Sequence, residues 1–109
     1  MATRARLTYP TLLTLRALAA GYSYGFDIMD ATGLPSGTVY PLLRRLERLG
    51  CVAARWEDRA AARREGRPPR RHYRITGAGH AVLRRAETRL APLQAARLLQ
   101  LGPAPAAGS

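Results

Sequence analysis

Residues 33–50 read Gly33-Leu34-Pro35-Ser36-Gly37-Thr38-Val39-Tyr40-Pro41-Leu42-Leu43-Arg44-Arg45-Leu46-Glu47-Arg48-Leu49-Gly50, and this stretch decides the fold. Gly33, Leu34 and Pro35 make a compact turn, Ser36 is the expected N-cap of a helix reaching Leu49, and Gly50 closes it. Val39, Leu42, Leu43, Leu46 and Leu49 recur at three- and four-residue steps and so share one face. The opposite side carries Gly37, Pro41, Arg44 and Arg48, flanked by Tyr40 and Arg45. A leucine back with an arginine front suits tight docking on one side and an anionic groove on the other. Pro41 lies beyond the free first turn, so it is expected to cost one backbone bond and to bend the helix slightly.

Upstream, residues 9–20 place Leu12, Leu15, Leu18 and Ala19 on one helical stripe that Gly21 ends. A short second helix is expected over 24–31, with Phe26, Ile28 and Met29 as core candidates. After Gly50 the period changes. Residues 51–57 read as a strand with Val52, Ala54 and Trp56 on alternate positions, Trp56 being expected in core or hairpin packing. Residues 58–69 have no apolar period and contain Gly66, Pro68 and Pro69, which predicts a loop. Residues 71–75 form a second strand with Tyr73 and Ile75 facing the same way. A hairpin with a basic loop, following three helices, occupies the position of a wing.

Thr76 starts the last helix, where Val82, Leu83, Ala86, Leu90 and Leu93 form a narrow seam suited to self-association. At Pro92 that helix either kinks or gives way to a new one. The expected architecture is α+β, mainly α: a winged helix-turn-helix over 1–75, a C-terminal dimerisation helix over 76–101 and a disordered tail over 102–109.

The 109 residues suffice for one small domain, to which a second copy would add core. The formal net charge is +11, and all 18 basic side chains are arginine. A high-GC genome explains the missing lysine but not the clustering of the arginines. Such an excess calls for an anionic partner, with nucleic acid first and an anionic membrane surface second. The single Cys51 rules out an internal disulfide and fits a reducing cytoplasm. Arg4 and Arg6 before the apolar segment loosely resemble a secretory signal, but Arg16 interrupts it, and no run is long enough to span a bilayer. The expected location is cytoplasmic.

Catalytic and metal chemistry find little support. Cys51, His72 and His80 lack metal-ligand spacing, and the pair Asp27 and Asp30 needs only capping and solvation. No nucleophile has a recognisable setting and no glycine-rich phosphate loop follows a strand, so neither an enzyme nor a cofactor is expected.

In a helix-turn-helix the third helix enters the major groove by its N-terminal residues. Ser36 and Thr38 can bond to bases or phosphates, Tyr40 can reach a phosphate, and Arg44 and Arg48 lie where backbone contact is expected. The hairpin adds Arg63, Arg64, Arg67, Arg70, Arg71 and Arg74. Taken alone, the helix arginines read more readily as a solvated face, and the hairpin arginines equally well as a flexible basic loop. Two such clusters flanking one helix-turn-helix pattern favour DNA. The expected contact set is Ser36, Gly37, Thr38, Tyr40, Arg44, Arg48, Arg67, Arg70 and Arg71.

Three stretches resemble the PadR family of transcriptional regulators. Tyr24-Gly25-Phe26-Asp27-Ile28 resembles its HGYEI segment, residues 33–47 resemble GLSPGTLYPALHRLE, and residues 65–76 are similar to the wing signature GRPRKYYRLT. They stand in the family's order within a match that spans roughly residues 12–90, with Tyr24 in place of the usual histidine and one extra proline in the wing. The resemblance implies a homodimeric winged-helix repressor on an inverted-repeat operator. By position it implies Ser36, Thr38 and Tyr40 on DNA, Arg67 and Arg70 in the wing, and a C-terminal dimer helix. Some relatives bind phenolic or planar effectors on aromatics of the dimer helices. Here no Phe, Trp or Tyr follows Thr76, leaving Trp56 and Tyr9 as candidates and the effector unnamed. The alternative is a winged-helix adaptor that binds protein instead of DNA.

Overall fold

The computed structural model describes residues 7–101, with side chains as far as Ala91. The expected tail over 102–109, together with Arg4 and Arg6, lies outside the described residues. Seven elements follow in order: α1 (Tyr9–Ala19), α2 (Gly25–Thr32), α3 (Ser36–Arg48), β1 (Val52–Trp56), α4 (Arg59–Arg64), β2 (Arg71–Ile75) and α5 (Gly77–Leu101). The fold is α+β and mainly helical, with a two-stranded antiparallel hairpin as its wing.

Leucine periodicity builds the core. Leu12, Leu15 and Leu18 of α1, Ile28 of α2, and Val39, Leu42, Leu43 and Leu46 of α3 are buried together. Pro35, not Ser36, is the N-cap of α3, and no side chain caps it, so Ser36 is the first helical residue. The ring of Pro35 presets an extended backbone there, while Ser36 stays exposed. The helix continues through Pro41, whose missing N–H leaves the Gly37 carbonyl without its helical donor.

The hairpin pairs Val52 with Ile75, Ala54 with Tyr73 and Trp56 with Arg71. Tyr24 adds a single bridge to His72, and the Tyr73 N–H donates to the Ser23 carbonyl at 2.8 Å, so the residues before α2 extend the sheet. Thr76 ties the hairpin root to α5. Its hydroxyl donates to the Gly50 carbonyl at 2.6 Å and accepts from the Gly79 N–H at 3.1 Å.

Two expectations are corrected here. Residues 59–64, expected as loop, form α4, because Asp58 accepts from the Ala60 N–H at 3.1 Å and Ala62 is buried. One short turn anchored by a single alanine gives no apolar period to detect. Phe26, expected in the core, is 71% exposed, whereas Trp56, 62% exposed, packs within the hairpin against Arg71 of the paired strand. Ile28 alone of its helix's apolar trio is fully buried, since an eight-residue helix turns only one narrow face inward. The seam expected on α5 is used in part within the chain. Val82, Leu83, Ala86 and Leu90 are buried within this one chain, in the same core as α1 and α3. They face α1, with Arg16 and Glu87 paired at 3.2 Å beside them, so they need no second copy to cover them. The α5 backbone stays helical through Pro92 to Leu101, and the side chain of Leu93 lies outside the described residues.

Candidate nucleic-acid interface

The front of α3 is set by its back. With Val39, Leu43 and Leu46 fully buried, Ser36, Gly37, Pro41, Arg44, Arg45 and Arg48 are left exposed, and Thr38 is half-buried. None of Arg44, Arg45 and Arg48 has an ion pair among the described residues. Three guanidinium groups thus stand on one rigid helix with their charge uncompensated.

Tyr40 is positioned by a residue that sequence reading passed over. Gly25, the buried first residue of α2, lies directly beneath the Tyr40 ring. A Cβ on Gly25 would stand 2.7 Å from the Tyr40 Cζ and Oη atoms, far inside van der Waals contact. The bare backbone therefore lets the ring approach α2 closely while 37% of the residue stays exposed. Phe26 and Tyr24 flank it. Together with Arg70, Arg71 and Tyr73 they line a small recess of about 170 Å³ beside α3.

The wing arginines behave differently. Arg67 donates to both oxygens of Glu57, at 2.5 and 2.7 Å, and also meets Glu65 at 3.1 Å. The Arg70 guanidinium lies 3.7 Å from Glu57, and the Arg70 N–H donates to the same carboxylate at 3.1 Å. The hydrogen bond from Arg67, helped by the nearby charges, pulls the Glu57 carboxyl down to about 2. The Arg67 guanidinium is correspondingly held above its usual range. Arg71 reaches back to Glu47 on α3 at 2.8 Å, fastening wing to helix.

Aromatic faces hold the remaining freedom of these side chains. Arg70 lies 4.1 Å over the Tyr24 ring and Arg71 5.3 Å over Trp56. Tyr24 in turn meets His72 edge to face at 5.2 Å. The exposed Trp56 is thus a shelf for a guanidinium, a use that a strand alternation does not reveal. Of the expected set, Ser36, Gly37, Thr38, Tyr40, Arg44 and Arg48 share one helix. Arg70 and Arg71 stand beside it, while Arg67 is engaged inside the wing.

Among curated proteins nothing matches the chain. Residues 12–85 match the Transcriptional regulator PadR-like family over helix-turn-helix, wing and the start of α5. The chain belongs to that family. Among solved structures it is similar to a PadR-family transcription regulator from Clostridium difficile R20291, at 20% identity and TM-score 0.69, covering 87% of this chain and 100% of that one. A PadR-family transcriptional regulator from Eggerthella lenta DSM 2243 is 27% identical with TM-score 0.61, covering 84% and 83% of the two chains. The PcaV transcriptional regulator from Streptomyces coelicolor, solved with its natural ligand, is 25% identical with TM-score 0.68, covering 91% of this chain and 64% of that one.

As a PadR-family protein the chain is a DNA-binding regulator of transcription and not an enzyme. Among the described residues, no group of His, Cys, Asp and Glu side chains could hold a metal ion, and no helix is long and apolar enough to cross a membrane. Cys51 is buried, which pushes its thiol pKa up.

Proposed function

We propose that this PadR-family protein is a repressor that binds an inverted-repeat operator as a homodimer. In this reading Ser36, Gly37, Thr38 and Tyr40 approach base edges and nearby phosphates from the first turns of α3, and Arg44 and Arg48 neutralise backbone phosphates. Arg70 and Arg71 extend the contact from the wing, with Arg67 acting through its hold on Glu57. The observation that carries the proposal is the uncompensated arginine front of α3 beside a wing clamped to it by Glu47 and Arg71. Protein-binding adaptors seldom need so much unpaired positive charge, which argues against that alternative.

Self-association is assigned to α5, by way of the part beyond Leu90, including Leu93, because the preceding apolar residues are spent on α1. A homodimer places two reading helices about one helical turn of DNA apart, or a multiple of it. Release by a small molecule is the proposed control, in line with a similar regulator solved with its natural ligand. The cytoplasm is the proposed location.

A fluorescence titration with the duplex upstream of the protein's own gene tests this reading. Tight binding that weakens steeply with salt, and falls by orders of magnitude for a scrambled duplex, supports it. Equal affinity for both duplexes at physiological salt overturns it. Light scattering on the same sample reads the dimer, which Leu93→Asp should convert to monomer.

A further inference from the structure

The recess between α2, α3 and the wing has a lining unlike that of a bare basic surface. Tyr24, Phe26, Tyr40 and Tyr73 bring four aromatic side chains to one opening of about 170 Å³. Single exposed apolar side chains need no explanation, but Phe26, 71% exposed, stands in a cluster of rings. Gly25 joins the lining as bare backbone, at a place where any side chain would meet Tyr40.

The polar side of the recess is cationic. Arg71 gives one hydrogen bond to Glu47, at 2.8 Å. The Arg70 guanidinium lies 4.1 Å over the Tyr24 ring and 3.7 Å from Glu57, beyond hydrogen-bond reach. Its side-chain N–H groups are therefore held in place yet unspent among the described residues. A guanidinium fork of this kind matches a carboxylate.

Size narrows the class of ligand further. A cavity of about 150 Å³ holds one benzene ring, and drug-sized ligands need about 300 Å³ or more. The recess thus suits one ring, whose face or edge the tyrosine and phenylalanine rings can meet. A cationic ligand would face two arginines, and a neutral one would leave the Arg70 donors without a partner.

We infer that this recess binds a one-ring aromatic carboxylate, and that an occupied recess excludes duplex DNA. The ring packs against Tyr24, Phe26 and Tyr40, and the carboxylate takes the free N–H groups of Arg70. The exclusion rests on the DNA-binding reading above, since Tyr40, Arg70 and Arg71 cannot serve both partners at once. Such a ligand acts on the DNA-reading surface itself, with no signal passed from α5. A direct competitor raises the apparent Kd for the duplex in proportion to its concentration. A ligand acting from a distant site shifts it only to a plateau set by the coupling between the sites.

Benzoate is the probe, with acetate and benzyl alcohol at equal sodium concentration as controls for charge alone and ring alone. Calorimetry and side-chain NMR on the full chain without DNA read binding. Benzoate should bind about tenfold more tightly than either control, with shifts at Tyr24, Phe26, Tyr40 and Arg70. Phe26→Ala and Arg70→Gln should each weaken it about tenfold. Phe26 is exposed, so circular dichroism should show its variant folded. Anisotropy of a labelled operator duplex should then give an apparent Kd that rises linearly with benzoate, with a slope about tenfold smaller in Phe26→Ala.

Benzoate that binds no better than acetate or benzyl alcohol overturns the inference. So do NMR shifts confined to α5, or a Phe26→Ala variant that binds benzoate normally. A plateau in the duplex titration overturns the exclusion, because ligand and DNA are then held together. If the protein binds no duplex, the operator reading and the exclusion fall together, and benzoate binding to the free chain decides the recess alone.

Discussion

Helix α3 and residues 67–71 of the wing are both rich in arginine, yet they spend it in opposite ways. On α3, Arg44, Arg45 and Arg48 project with no acidic partner among the described residues. At the wing, Arg67, Arg70 and Arg71 are each drawn to a glutamate, and two of them also lie over aromatic rings. The difference follows from what each element already has. A helix packed by Leu43 and Leu46 is rigid without help from its charges. A hairpin of two five-residue strands is marginal alone, so its charges go first into holding it. Arginine count therefore overstates the number of hands free for an anionic partner, and in the proposed DNA-binding mode the acidic residues of the wing serve the contact indirectly.

Substitutions can break this contrast, beginning with α3. Arg44→Ala/Arg48→Ala should leave thermal stability nearly untouched and weaken duplex binding about a hundredfold, near one tenfold step per charge-assisted contact. The loss should be the same for operator and scrambled duplex, as measured by anisotropy.

Gly25→Ala comes next. The new methyl must push the Tyr40 ring aside, which should lower operator affinity about tenfold and blur its preference over scrambled duplex. In a Tyr40→Ala background the same substitution should cost almost nothing on DNA, and a full loss there would show that Gly25 acts through the fold instead.

Glu57→Gln sharpens the comparison most. Charge arithmetic alone says that removing a carboxylate near DNA strengthens binding. The bracing role says the reverse, and we expect a loss of about threefold to tenfold, with faster amide exchange confined to residues 57–71. Tighter binding by this variant would reduce Glu57 to a plain repulsive charge.

The smallest effect is with pH. The Glu57 carboxyl is depressed from 4.5 to about 2 in the fold, so its contribution is complete above the ordinary carboxylate range and is lost progressively as pH falls from that range through about 2. The Arg67 side-chain NMR signal should thus be unchanged from neutrality down to the ordinary carboxylate range. A change near the normal glutamate pKa would mean a weaker brace.

Much of the fold was legible because leucine spacing on α1 and α3 and strand alternation at 71–75 are local signals. Helix α4 was not, since its single inward residue, Ala62, leaves no pattern. Within the candidate site, the front of α3 could be read from its leucine back. The pairing of Arg67 with Glu57 could not, because ten positions separate them across a turn whose path the sequence does not state. Gly25 was visible only as a letter in a resemblance, and its purpose depends on a ring fifteen residues away in the chain. The apolar run of α5 showed that a face must be covered, without showing that α1 covers most of it.

The hydroxyl of Thr76 touches the end of one element and the beginning of another, and the first turn of α5 presses on the Cys51 carbonyl beside it. The root of the hairpin and the first turn of α5 thus share one set of contacts, and a substitution at Thr76 or Gly79 would disturb both elements at once.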